Sequence, residues 1–65
     1  MKKYQYYRNN VLTEVEVPFL PGDRVVSNEL GMRGTVEGYY GEKITGALVK
    51  FDNGTTHVCQ WKEMK

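Results

Sequence analysis

Between Leu12 and Val17 apolar and polar side chains alternate strictly, which places Val11, Thr13, Val15 and Val17 on one face of a strand and Leu12, Glu14 and Glu16 on the other. An aromatic-rich run from Lys3 to Arg8 precedes it, and the two are separated by Asn9-Asn10, residues that tolerate positive φ. Two strands joined by a two-residue turn follow from this, an N-terminal β-hairpin over residues 1–17. Pro18 and Pro21-Gly22 end it, because proline removes a ladder donor and Pro-Gly favours a turn.

A second block has short strand-like runs separated by reversals: Asp23 to Ser27, a turn at Asn28 to Gly31, Arg33 to Tyr40, a turn at Gly41-Glu42-Lys43, Ile44 to Phe51, the turn Asp52-Asn53-Gly54, and Thr55 to Cys59. Such spacing predicts a meander that curls on itself. Strand parity assigns Val25, Val36, Tyr40, Ala47, Val49, Phe51 and Val58 to the core, and Arg24, Thr35, Glu37, Lys50, Thr55 and His57 to the outside. It also leaves Leu12, Val26, Tyr39 and Leu48 on outer faces, more exposed apolar surface than a small monomer normally carries. Gly34 and Gly38 fall inside a strand, as a sharply bent sheet requires. The tail from Gln60 to Lys65 predicts one short helical turn, with Trp61 and Met64 closing one end of the core.

Composition narrows the class. Sixty-five residues allow one small domain with a shallow core and little room for a deep, water-excluding pocket. One alanine against fourteen Val, Ile and Thr residues argues for strands over helices. The expected fold is all-β: a barrel of five to six short antiparallel strands over residues 21–60, with the N-terminal hairpin of residues 1–17 closing the sheet and a C-terminal helical turn. A lone Cys59 and the absence of an apolar leader or membrane-length apolar run imply a cytoplasmic protein with no membrane partner.

The stretches Pro21-Gly22-Asp23-Arg24-Val25, Gly34-Thr35-Val36-Glu37-Gly38 and Ala47-Leu48-Val49-Lys50-Phe51-Asp52-Asn53-Gly54 resemble an SH3-like barrel of the KOW and Tudor kind. The likeness covers residues 21–60 and lies mostly in turn chemistry, so it implies a fold. KOW-type barrels touch RNA or ribosomal and transcription proteins, and Tudor-type barrels read modified side chains through an aromatic cage. Gly22-Asp23-Arg24-Val25 and Thr35-Val36-Glu37-Gly38-Tyr39-Tyr40 are also similar to the plasmid-encoded type II dihydrofolate reductases, which assemble a catalytic pore from four chains. Their functional strand reads Val-Gln-Ile-Tyr where this chain has His57-Val58-Cys59-Gln60-Trp61, and Val26-Ser27 stand where their pore lysine would be sought.

Charge and candidate chemistry set the functional expectation. The net charge is +1, with Lys2, Lys3 and Arg8 making a basic end and an acidic excess through residues 9–56, unlike the broad basic face of a duplex-binding protein. His57 and Cys59 share a strand face but offer two ligands, short of a metal site, and lack the orienting group of a nucleophilic pair. Glu14 and Glu16 serve as charged guards of the hairpin surface. No catalytic residue, metal or cofactor is expected. The expected role is a non-catalytic interaction module binding a protein partner through Tyr4, Tyr6, Tyr7, Tyr39 and Trp61, with self-association as a swapped dimer hinged at Pro18 to Pro21. The alternatives are RNA or single-stranded nucleic acid held by Lys2, Lys3 and Arg8 beside stacking tyrosines, and a reductase of the type II kind.

Overall fold

The computed structural model describes residues 1–41 and 43–65, so the turn expected at Gly41-Glu42-Lys43 lies partly outside the described residues. Among these, the chain forms β1 (Lys2–Arg8), β2 (Val11–Val17), β3 (Arg24–Val26), β4 (Arg33–Tyr40), β5 (Gly46–Phe51), β6 (Thr56–Gln60) and a 3₁₀ turn (Trp61–Glu63). All strand pairings are antiparallel, in two sheets: β1-β2, and β3-β4-β5-β6. The molecule is elongated, 37 × 21 × 17 Å, because the hairpin projects from the four-stranded body.

The hairpin follows its turn chemistry. Asn9 and Asn10 take φ of 51° and 64°, the two-residue geometry whose twist matches the flanking strands, and the register runs from Arg8 opposite Val11 to Lys2 opposite Val17. Val17, at the base of this ladder, is fully buried, whereas Val11 and Leu12 at its tip are exposed.

The hairpin does not close the larger sheet as expected. Among the described residues it pairs only with itself, and the outer edge of β3 is covered by the C-terminal tail: Val26 and Lys65 exchange backbone hydrogen bonds at 2.8 and 3.0 Å, and Asn28 N–H donates to Glu63 O at 2.7 Å. A single bridge, Ser27 opposite Met64, joins the two segments. The 3₁₀ turn makes this return possible. Gln60 caps it in a reciprocal capping box with Glu63, and Met64 drops into the core at its end. Among the described residues the ladders leave two sheets without a closed barrel.

The core consists of Val25, Val36, Ala47, Val49, Phe51, Cys59 and Met64, with Phe19, Met32, Tyr39 and Trp61 packed against it. Two departures from simple alternation explain where this set differs from the expected one. In β4 the register slips between Val36 and Gly38, so Glu37 is an extra residue and every later side chain changes face. Tyr39 therefore pairs with Ala47 on the core side, and Tyr40, expected inside, pairs with Gly46 on the outer side. In the β5-β6 hairpin a three-residue turn with Gly54 at φ 92° sets Val49 opposite His57 and Ala47 opposite Cys59. Directly opposed residues share a face, so Cys59 is buried and His57 lies on the core side at its open rim, 5.6 Å from the Phe51 ring, while Val58 faces outward. Val58 thus leaves its expected core position, while His57, although on the core face, stays exposed as expected.

Candidate protein-binding groove

Period two along β1 puts Tyr4 and Tyr6 on the hairpin face that turns toward the body, with their rings stacked at 5.8 Å and 20°. The β4 bulge brings Tyr39 to the same seam, edge-on to Tyr4 at 4.7 Å and 73°. Tyr39 also meets Trp61 edge-on at 5.6 Å, and Trp61 meets Phe19 at 6.4 Å. Five rings therefore run continuously from the hairpin to the interior, in offset and edge-to-face contacts each worth about 0.5–1.5 kcal/mol beyond area burial. Two hydrogen bonds hold the inner rings: Tyr39 Oη donates to Phe19 O at 2.6 Å, and Trp61 Nε1 donates to Ile44 O at 3.1 Å. Burial, with smaller contributions from Tyr4 and Asp23, pushes the Tyr39 phenol above its ordinary value and keeps it a neutral donor.

Between hairpin and sheet this arrangement leaves an open groove of about 230 Å³ lined by Tyr4, Tyr6, Tyr39, Gly41 and Ile44. Of the expected set, Tyr4, Tyr6 and Tyr39 meet here, Tyr39 as a partly buried wall and not as an exposed patch residue. Trp61 supports that wall from behind. Tyr7 is elsewhere, on the opposite hairpin face with Leu12 across from it, and 75% exposed. Ile44 and Phe19 carried no earlier functional expectation. Ile44 is held at φ 53°, a conformation β-branched residues rarely adopt and one no local pattern announces.

The basic residues are distributed over both hairpin faces. Lys2 shares the face of Tyr4 and Tyr6, but its ammonium donates to the Asp23 carboxylate. Lys3 is on the other face, 3.9 Å from Glu14, and Arg8 stands at the strand end opposite Val11. A second recess, about 250 Å³ and lined by Arg24, Val25, Val26 and Arg33, is bordered by an ion pair in which Arg24 grips both Asp52 carboxylate oxygens at 2.7 and 2.8 Å.

Asp23 ties the hairpin to the body, since its carboxylate accepts from Lys2 and from Leu20 N–H at 2.9 Å. The Lys2 hydrogen bond, then that from Leu20, hold its pKa below the ordinary carboxylate value. A depressed folded-state pKa contributes stability that is present above the unfolded value of about 3.9 and is lost as pH falls through the lower folded one. Hydrogen exchange at the Lys2 to Tyr4 amides is expected to lose protection in that acid window in the wild type. In Asp23→Asn this acid step should be absent, and an unchanged step would assign the tether elsewhere.

His57 and Cys59 share the inner face of β6, where burial pushes the Cys59 thiol above its usual value, with smaller contributions from Glu63 and Glu29. Among the described residues no three His, Cys, Asp or Glu side chains gather as a metal-binding group, and no helix is long and apolar enough to cross a membrane. Comparison of the chain with protein-family models, with curated proteins and with solved structures finds no match, which leaves the groove's own geometry as the ground for a functional reading.

Proposed function

We propose that this chain is a non-catalytic interaction module that binds a protein partner in the groove between the N-terminal hairpin and the four-stranded sheet. We read the body as an SH3-like fold of the KOW and Tudor kind whose barrel stays open, a reading supported by the consecutive antiparallel order β3-β4-β5-β6 and by a 3₁₀ turn that returns the tail to the edge of β3. The observation that carries the functional reading is the convergence of three tyrosines and Ile44 on one open groove. At about 230 Å³ it is smaller than the ~300–1,000 Å³ of typical small-molecule sites, and tyrosine-rich surfaces suit protein recognition. Lys2 and Lys3 are each matched to a carboxylate, which favours a protein over a phosphate backbone as the occupant.

Tyr6 is the residue to test, because it lines the groove at the outer end of the ring series, away from the core. Protein captured by the immobilised chain, once purified, is expected to lose about tenfold or more in affinity toward Tyr6→Ser by calorimetry, the size of a modest interface hot spot. Capture that does not depend on Tyr6, or binding to a single-stranded oligonucleotide that falls steeply with salt, would overturn the proposal.

A further inference from the structure

We infer that the free edge of β6 is a self-association surface, on which a second copy of this chain pairs antiparallel about a dyad at Val58. β6 ends the order β3-β4-β5-β6, and its outer edge has no strand beside it among the described residues. Which backbone groups face that edge follows from the hairpin. Phe51 N–H donates to Thr55 O at 2.8 Å, making these residues a hydrogen-bonded pair. Antiparallel ladders alternate, so the pairs Val49–His57 and Ala47–Cys59 also bond across to each other. The N–H and C=O groups of Thr56, Val58 and Gln60 then point away from β5. The Gln60 N–H agrees with this phase, since it is taken by the Glu63 carboxylate at 3.2 Å instead of by β5. Thr56 and Val58 thus present both donor and acceptor to the open edge.

Charge selects the occupant. The chain is 26% charged, yet β6 reads Thr-His-Val-Cys-Gln, without lysine, acid or proline, the devices that normally keep an edge from pairing. The exposed hairpin strands have them: Lys2, Lys3 and Arg8 on β1, and Glu14 and Glu16 on β2. Around a dyad each residue meets its own counterpart or a near neighbour, so any fixed charge on the strand would face a like charge. The β6 sequence avoids this. With Val58 on the dyad, Thr56 faces Gln60 of the second copy and His57 faces Cys59, and two Val58 residues exchange both backbone hydrogen bonds. Val58 is 54% and Leu48 37% exposed, directly opposite each other on the outer face. Pairing would extend them into one apolar stripe, Leu48–Val58–Val58–Leu48, across two copies. The groove is lined by residues of the hairpin, β4 and the segment before β5, none of them on β6, and is not required for this contact.

Sedimentation over a concentration series up to about 1 mM tests this directly. The wild type is expected to reach twice the mass of one chain, with the Val58 amide becoming slower to exchange as concentration rises. Val58→Asp puts like charges on the dyad and should weaken the dimer about a hundredfold or more, while leaving the monomer's circular dichroism unchanged because the side chain is exposed. Thr56→Pro removes only an outward N–H and should weaken it as well. Tyr6→Ser should leave it intact, which separates this surface from the groove. A wild type that stays monomeric throughout, or a dimer unaffected by Val58→Asp, would overturn the inference.

Discussion

Replacing Gly46 by alanine is expected to unfold the protein. A Cβ built at this position would overlap the Cys59 carbonyl oxygen and the Tyr40 ring, and would lie 3.1 Å from Gln60 Cα. The Tyr40 ring can turn aside. The Cys59 carbonyl cannot, because it belongs to the ladder that sets Ala47 opposite Cys59. Overpacking typically costs about 1–3 kcal/mol even where side chains can adjust, and here the obstruction is backbone. A domain this small holds only about 3–5 kcal/mol from its core, so the β5-β6 hairpin has little reserve. Gly38→Ala is the matched control: it lies in the facing strand, opposite Leu48, with nothing within 4 Å of its added Cβ. Thermal unfolding should be lost or shifted far downward in Gly46→Ala and stay near wild type in Gly38→Ala. Similar melting curves for both would refute the close-approach account.

The second large effect is expected at Tyr39. Its ring joins Tyr4 of the hairpin to Trp61 of the tail, and its hydroxyl donates to Phe19 in the connecting segment, so one side chain links three separate parts of the chain. Tyr39→Ala should cost about 3 kcal/mol, the low end for aromatic-to-alanine changes because the ring is only partly buried. Much of that loss should appear as undocking of the hairpin, read as faster exchange at Tyr4 and Val17 with the β4-β5 amides less affected. Tyr39→Phe keeps the ring contacts and removes one hydrogen bond, for a loss of about 1 kcal/mol. If Tyr39→Ala left hairpin protection unchanged, the seam would be held by other contacts and the groove would not depend on Tyr39.

Neither the close backbone approach at Gly46 nor the inward turn of Tyr39 was readable from local pattern alone. The N-terminal hairpin was legible because its register is local: two asparagines permit positive φ, a two-residue turn sets the pairing, and strict alternation divides the faces. The turns at Asn28 to Gly31 and Asp52 to Gly54, the inward Val25, Val36, Ala47, Val49 and Phe51, and the C-terminal turn that buries Met64 were legible for the same reason. Parity failed where one residue is added or a turn is odd. The extra residue at Glu37 carries no compositional mark, yet it turns Tyr39 inward and so builds the groove wall. The three-residue turn before β6 pairs odd positions with odd, sending Cys59 inward and Val58 outward against the apolar character of valine.

By itself the sequence determined an all-β chain and a tyrosine-bearing hairpin with Tyr4 and Tyr6 on one face. Tertiary structure alone decided that the tail, and not the hairpin, covers β3, that Tyr39 meets Tyr4 while Tyr7 stands apart, and that Ile44 completes the groove. The division has one physical cause. Strand formation and turn type depend on φ/ψ preferences and on side-chain periodicity over a few residues. Which edge a segment covers, and which face follows a bulge, depend on contacts between residues far apart in the chain, where several registers satisfy the same local preferences and packing selects among them.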